Sequence, residues 1–337
     1  QFDTRGLALL TPWIGTYGLS GVLVVLAGVP GVVAPLIGGS RSPARWLSAA
    51  PALALAAGLT ALMALPDPWV KRDEGATRFT LVQPDLPQEI IDDPRYFEEN
   101  FIKLAKLSLP RSRGEKRVVF WPESGLGDYL RDGYPRYLYR LYTYGADPVI
   151  ARDRIGSVIG PYGLLLTGAV DLVVENGDGV AARNSVTAIN GKGDILAGYS
   201  KAHLVPFGEY LPLRWLLEPL GASRFVAGSL DFWPGPGPRT FDFGTLGEVG
   251  VQICYEIVFS GEVVDPLNRP DYIYNPSNDG WFGAWRGARV QPWKWPSVRS
   301  AHEPTLFARY GNALSLALAA LIALMAISMV ALGRRGR

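Results

Sequence analysis

The sequence predicts a layered α/β domain held between membrane-spanning helices, and three observations point there. Residues 18–39, 46–66 and 312–333 carry no charge, and each has the ~20-residue length that crosses a bilayer core as a helix. Between the second and third of these runs, helix-period segments alternate with short strand-like ones. Those strand-like runs are continuously apolar and stop abruptly at turn-forming or reactive residues, the pattern of a layered α/β sandwich.

The elements follow in order. Residues 1–17, with Trp13 and Tyr17, read as an interfacial segment at headgroup depth, and 18–66 as two transmembrane helices. Pro66-Asp67-Pro68 ends the second span. A domain over 77–304 then opens with the strand-like Phe79–Gln83. Tyr96, Phe97, Phe101, Leu104 and Leu107 recur at helical spacing within Pro94–Leu109. Lys116–Trp121 reads as a buried strand, 135–144 as a second helix, and Leu164–Val174 and Ser185–Ala188 as strands. Asn190-Gly191-Lys192-Gly193-Asp194 is a tight turn into the strand Ile195–Tyr199. Two more strands end at Cys254 and Asn275. Between Leu213 and Trp233 the apolar Trp215, Leu216, Leu217, Phe225 and Phe232 mark an aromatic-rich loop, closed by Pro-Gly-Pro-Gly-Pro at 234–238. An exposed apolar loop of this kind suits a lipid substrate.

Composition narrows the partners. The chain is 48% hydrophobic yet 19% charged, with a net charge of +2. That balance gives no basic field for nucleic acid, and no nucleic-acid signature is present. Arg41 and Arg45 lie between the first two spans, and Arg334-Arg335-Gly336-Arg337 follows the third. By the positive-inside rule both clusters are cytoplasmic, which puts 67–311 on the opposite side. The chain opens at Gln1 without an initiator methionine, a basic leader or a signal-cleavage site. It therefore reads as beginning mid-protein, with earlier spans expected before it.

Cys254 is the one cysteine, so no internal disulfide is available. A lone cysteine is usually a small buried hydrophobe. Glu123, Lys201 and Cys254, however, each end a strand-like run, where sites assemble in layered α/β domains. A thiol needs a proton acceptor, which a carboxylate supplies, and an ammonium stabilises a tetrahedral oxyanion. His203 reads as a structural residue of the loop after Lys201. One cysteine and two histidines form no metal-ligand cluster, and neither a Gly-x-Ser-x-Gly elbow nor a phosphate loop occurs.

Four motifs sharpen this: Trp121-Pro122-Glu123-Ser124, the run Lys201–Leu213, Ile253-Cys254-Tyr255-Glu256-Ile257, and Ser277–Gly283 (Ser-Asn-Asp-Gly-Trp-Phe-Gly). With them the chain resembles the nitrilase, or carbon-nitrogen hydrolase, superfamily and within it the apolipoprotein N-acyltransferases. The resemblance covers most of 1–285 and the last span from about Thr305. It implies a nitrilase-like αββα sandwich, with Cys254 as nucleophile, Glu123 as general base and Lys201 as oxyanion partner. It also implies supporting roles for Glu209, Tyr255, Glu256 and Asn184, with the Tyr255 N–H as a further oxyanion donor. The implied reaction needs no cofactor and no metal. A phospholipid gives an acyl chain, through a cysteine thioester, to the amino group of a diacylated apolipoprotein. The implied setting is the bacterial inner membrane, multi-pass, with the catalytic domain in the periplasm.

Two departures stand out. Asp92 occupies a position where the family carries tryptophan. After Trp281-Phe282-Gly283, the family's Gln-His helix, Arg-rich stretch and closing strands are absent, which predicts an exposed sheet edge or incomplete core. A membrane-tethered amidohydrolase, with water as acceptor, and an inactive lipid- or lipoprotein-binding relative are the two alternatives.

Overall fold

The computed structural model describes residues 6–37, 74–221, 230–278, 297–299 and 305–317, with a few further helical positions within 50–61 and 319–324. The chain divides into two compact units, Gln1–Arg72 with His302–Arg337, and Asp73–Ala301.

In the first unit, helix α1 (Thr11–Ile37) takes in the stretch expected at the interface as well as most of the first apolar run. It kinks at Gly15, whose φ of 69° is left-handed. Leu7–Gly28, which takes in the preceding 3₁₀ turn and the first part of α1, is by length and composition long and apolar enough to cross a membrane. Ser315 Oγ donates to the Ile14 carbonyl at 2.7 Å and ties the C-terminal helical segment to α1. Most of the second span and of the third, and both arginine clusters, lie outside the described residues.

The second unit is built on two sheets. The elements in order are β1 (Glu74–Leu81), α2 (Gln88–Ile91), α3 (Phe97–Ser108), β2 (Arg117–Phe120), α4 (Arg136–Tyr142), α5 (Pro148–Ile159), β3 (Gly163–Glu175), β4 (Asp178–Asn190), β5 (Ile195–Ser200), α6 (Arg214–Leu217), β6 (Thr240–Asp242), β7 (Glu248–Val251), β8 (Tyr272–Tyr274) and β9 (Ser297–Arg299). The larger sheet runs β5-β4-β3-β2-β1-β9 and the smaller β6-β7-β8. In the larger, β1, β2 and β3 are parallel, with Phe79 opposite Val118 and Val118 opposite Leu164. The β3–β4 hairpin and β5 continue antiparallel.

Every residue of β2 is buried, because the strand is covered on both faces. One face meets α3 and α5 through a core that includes Phe101, Leu104, Val119, Trp121, Ile155, Leu165 and Ile189. The other packs on the smaller sheet through Val118, Phe120, Leu166, Val186, Val249, Val251 and Tyr274. Three layers, α, β and β, are thus present among the described residues. No described helix covers the outer face of the smaller sheet, where Ile273 is 44% exposed, so the expected fourth layer is not among them. The edge beyond β1 is closed by β9, which pairs with it antiparallel.

Helix α5 was not legible in the sequence reading, although Asp147 caps it by accepting from Val149 N–H at 2.8 Å and Pro148 opens it. The strand read over Ser185–Ala188 is one part of the much longer β4. The strand expected to reach Cys254 stops at Val251.

Candidate active site

Three loops at the C-terminal ends of β2, β5 and β7 converge. After β2, Trp121 N–H continues the ladder to the Leu166 carbonyl at 3.0 Å, and Pro122 then ends it. A tight turn follows, closed by Gly125 N–H to the Pro122 carbonyl at 3.1 Å with Ser124 left-handed at φ 51°. The turn lies against β3 at Gly168, where a Cβ would stand 2.6 Å from the Pro122 carbonyl oxygen. Only glycine admits so close an approach of backbone to backbone. Lys201 immediately follows β5, its N–H held by the Asn184 carbonyl at 2.8 Å and its own carbonyl by Gly235 N–H at 2.7 Å. That second bond gives the Pro-Gly-Pro-Gly-Pro segment a structural role beside the site.

Beyond β7, Gln252 N–H bonds to the Tyr274 carbonyl at 3.0 Å and Cys254 N–H to the Pro276 carbonyl at 2.8 Å. Cys254 itself has φ 55°, a strained conformation for a residue with a side chain, and opens the short 3₁₀ turn Cys254–Val258. The sharp strand-to-turn reversal lifts the thiol out of the sheet, so that it is half-buried.

Beneath it lies a buried ionic cluster. Lys201, 1% exposed, reaches Glu209 at 3.0 Å and Glu123 at 3.8 Å. Asn184 Nδ2 donates to Glu123 Oε1 at 2.9 Å and to Glu209 Oε1 at 2.8 Å, bridging the two carboxylates. Glu209 also accepts from Val205 N–H at 2.8 Å, and Glu123 Oε2 from Asn278 N–H at 3.2 Å. Glu123 and the Tyr255 N–H both act on the Cys254 thiol, the carboxylate favouring its protonated form and the N–H its thiolate. Burial pushes the thiol up to about 11, the Glu123 carboxylate adding to the shift and Lys201 opposing it. Burial also raises the Glu123 carboxyl above its usual range, against the pull of Lys201 and Asn184. For Lys201, burial alone would lower the value, but Glu209 and Glu123 together outweigh it and keep the ammonium charged.

Glu256 is the keystone of the surrounding loops. Its carboxylate, 1% exposed, accepts from Tyr199 Oη at 3.0 Å and from the N–H groups of Ala202 (2.7 Å), His203 (3.0 Å) and Ile253 (2.8 Å). One side chain thereby locks the loop after Lys201 to the turn that carries Cys254. The Tyr255 ring lies 5.9 Å from Lys201 Nζ and packs edge-on against Phe259. His203 stacks on Phe259 at 4.3 Å and pairs with Glu262 at 2.9 Å, away from the thiol.

The structure therefore brings Glu123, Lys201, Cys254, Glu209 and Asn184 together, with Tyr255 and Glu256 alongside. Sequence reasoning missed Tyr199, Tyr274 and the Asn278 N–H. Tyr274 donates across the sandwich to the Trp121 carbonyl and so supports the approach to Glu123. A small cleft beside Glu123 is lined by Leu86, Ile91, Pro122 and Asn278. Asp92, in the family's tryptophan position, ends α2, its N–H bonding to the Ile90 carbonyl. In the apolar loop, Leu213, Trp215 and Leu220 are 60%, 76% and 76% exposed, while Phe225 lies outside the described residues, as do residues 279–283 of the last motif.

A half-buried cysteine over a carboxylate and an ammonium, at the strand ends of an α/β sandwich, defines the class. The chain belongs to the carbon-nitrogen hydrolase family, whose model matches residues 80–303. Among curated proteins it is similar to the apolipoprotein N-acyltransferase of Rhodopseudomonas palustris, 32% identical over 287 residues, covering 80% of this chain and 49% of that one. It is likewise similar to that of Geobacter metallireducens, 31% identical over 295 residues, covering 84% and 51%. The chain spans about half the length of these relatives. Among solved structures, a carbon-nitrogen hydrolase from Helicobacter pylori G27 aligns at 14% identity with a TM-score of 0.37, covering 60% of this chain and 59% of that one.

Proposed function

We propose that this chain carries the acyl-transfer machinery of an apolipoprotein N-acyltransferase. The reading rests on one observation above all: a thiol set on a strained turn over a buried Glu123–Asn184–Glu209–Lys201 cluster.

The geometry supports a two-step exchange. In the first step the Cys254 thiol gives its proton to the Glu123 carboxylate as Sγ attacks an ester carbonyl of a phospholipid. The S–C bond forms, and the charge that develops on the carbonyl oxygen is met by Lys201 and the Tyr255 N–H. The ester C–O bond then breaks, and Glu123 returns the proton to the departing lysophospholipid alcohol. In the second step the free amine of a diacylated lipoprotein attacks the thioester and gives a proton to Glu123. The C–S bond breaks, and Glu123 passes that proton to the departing sulfur, restoring the thiol and the carboxylate. Glu209 and Asn184 hold Lys201 and Glu123 in register, and Glu256 holds the two loops together. No cofactor is required for either step.

The exposed Leu213, Trp215 and Leu220 favour a lipid over a small soluble amide. The apolar runs 18–39, 46–66 and 312–333 would cross the inner membrane, and the flanking arginines would leave the catalytic domain in the periplasm. Mass spectrometry of a diacylated lipopeptide after incubation with phospholipid tests the reaction. One added acyl chain on the α-amine is expected. Release of free fatty acid with the lipopeptide unchanged would favour the amidohydrolase, and no turnover of either kind the inactive binding relative.

A further inference from the structure

A second cleft opens at the other end of the sandwich, where β2 begins beside Thr77 and Arg78 of β1 and the 3₁₀ turn Gly244–Leu246 joins β6 to β7. Arg78, Lys116, Glu115, Thr77, Ser112 and Thr245 line it. Lys116 Nζ donates to Thr245 Oγ1, linking the two sheets across the cleft. Arg111 and Arg113 flank Ser112 in the same loop, which turns through Gly114 at φ 77°. The bordering carboxylates are already engaged. Glu115 accepts from Arg111 N–H at 2.8 Å and lies 3.6 Å from the buried Arg117, and Asp242 accepts from Gly244 N–H at 2.7 Å.

Of the lining residues, Arg78 and Lys116 are cations and Glu115 is the one carboxylate, already engaged, so the cleft presents a net positive charge. Among the described residues Arg78 has no carboxylate partner, so its guanidinium fork is available to a ligand. Arginine forks, an ammonium and hydroxyl donors around one concavity are the donor set that oxyanions of phosphorus take up. We propose that this cleft binds a phosphate group.

A lipid headgroup is the favoured source, because β1 begins eight residues after the apolar run that ends at Pro66. That source, though not the phosphate chemistry, rests on the membrane reading above. Lys116 and Glu123 stand at opposite ends of β2, roughly 20 Å apart at ~3.3 Å per residue. This is farther than the phosphate of one glycerophospholipid stands from its own ester carbonyls. The lipid held here would therefore be a non-reacting one that anchors and orients the domain, distinct from the acyl donor.

The test uses the full chain carrying Cys254→Ala, which prevents turnover, in a non-ionic detergent. Binding of inorganic phosphate and of dihexanoyl phosphatidylglycerol is read from broadening of their phosphorus resonances. Both should bind, and Arg78→Gln with Lys116→Gln should weaken binding at least about tenfold, the scale of losing a charge-assisted hydrogen bond. Arg78→Lys with Lys116→Arg should retain it. Binding of the lipid alone assigns the site to a headgroup, and of inorganic phosphate alone to a soluble ligand. No binding of either, or binding unchanged in the double glutamine variant, overturns the proposal. With Cys254 intact, the double glutamine variant should still form an acyl-enzyme, so the failure of either idea leaves the other standing.

Discussion

At the residue scale, the proposed chemistry depends on a thiol that does not ionise by itself. With Cys254 pushed up to about 11, the resting site at neutral pH holds a protonated sulfur beside Glu123. The competent form is then the thiol with an ionised Glu123, and proton transfer must accompany attack. Because burial raises the Glu123 carboxyl from its ordinary 4.5, activity should be lost on acidification through a midpoint above that value. It should hold level into mildly alkaline solution, since Lys201 stays charged. Acylation rates measured across pH check this, and an acid limb at or below the ordinary carboxyl value would contradict it. Glu256 makes a second case. Glu256→Ala leaves three buried N–H groups and the Tyr199 hydroxyl without their acceptor, a cost on the order of 3 kcal/mol. Thermal unfolding should fall by roughly 6–12 °C. The four partners of Glu256 come from segments more than fifty positions away or from the backbone, so nothing in Cys-Tyr-Glu reveals them. Glu123, Lys201 and Cys254 each end an apolar run, but they were readable because each lies in a motif of the family that the chain resembles. The left-handed turn at Cys254 was not, since no glycine marks it.

At the scale of elements, the close contact between β3 and the Glu123 turn is the part most sensitive to change. In Gly168→Ala the new Cβ would stand 2.6 Å from Pro122 O, 2.7 Å from Ser124 N and 2.8 Å from Glu123 Cα. These are backbone atoms, so the turn must move as a unit. A shift of about 1 Å in the base would cost on the order of a hundredfold in acylation rate. The expected outcome is that rate loss in a domain that still folds; an unimpaired rate would show that the turn tolerates displacement. The same elements explain what the sequence conveyed. β2 and β3 were legible because burial on both faces gives them the apolar runs Val118–Phe120 and Leu164–Leu166. β4 was truncated in the reading because its early residues, Asp178 to Asn184, are mostly polar or small and show no apolar run. Helix α5 was hidden because its buried positions, Pro148, Ala151, Ile155, Gly156 and Ile159, include few large side chains. The β9–β1 pairing joins segments more than two hundred residues apart, which no local pattern encodes.

At the scale of the whole molecule, the account joins a carbon-nitrogen hydrolase sandwich to apolar helices and a lipid reaction. Its topological consequence is testable by cysteine accessibility in a Cys254→Ala background. Ser42→Cys and Gly336→Cys should resist a membrane-impermeant thiol reagent in intact spheroplasts, whereas Ser112→Cys should react. The reverse pattern would overturn the periplasmic assignment. The central claim, that Cys254 carries an acyl chain, is tested most directly by mass spectrometry of the protein after incubation with a phospholipid bearing a tagged acyl group. The account predicts one hydroxylamine-sensitive acyl adduct on Cys254, lost in Cys254→Ala and suppressed in Glu123→Gln and Lys201→Met. Equal labelling of the Cys254→Ala variant would contradict it.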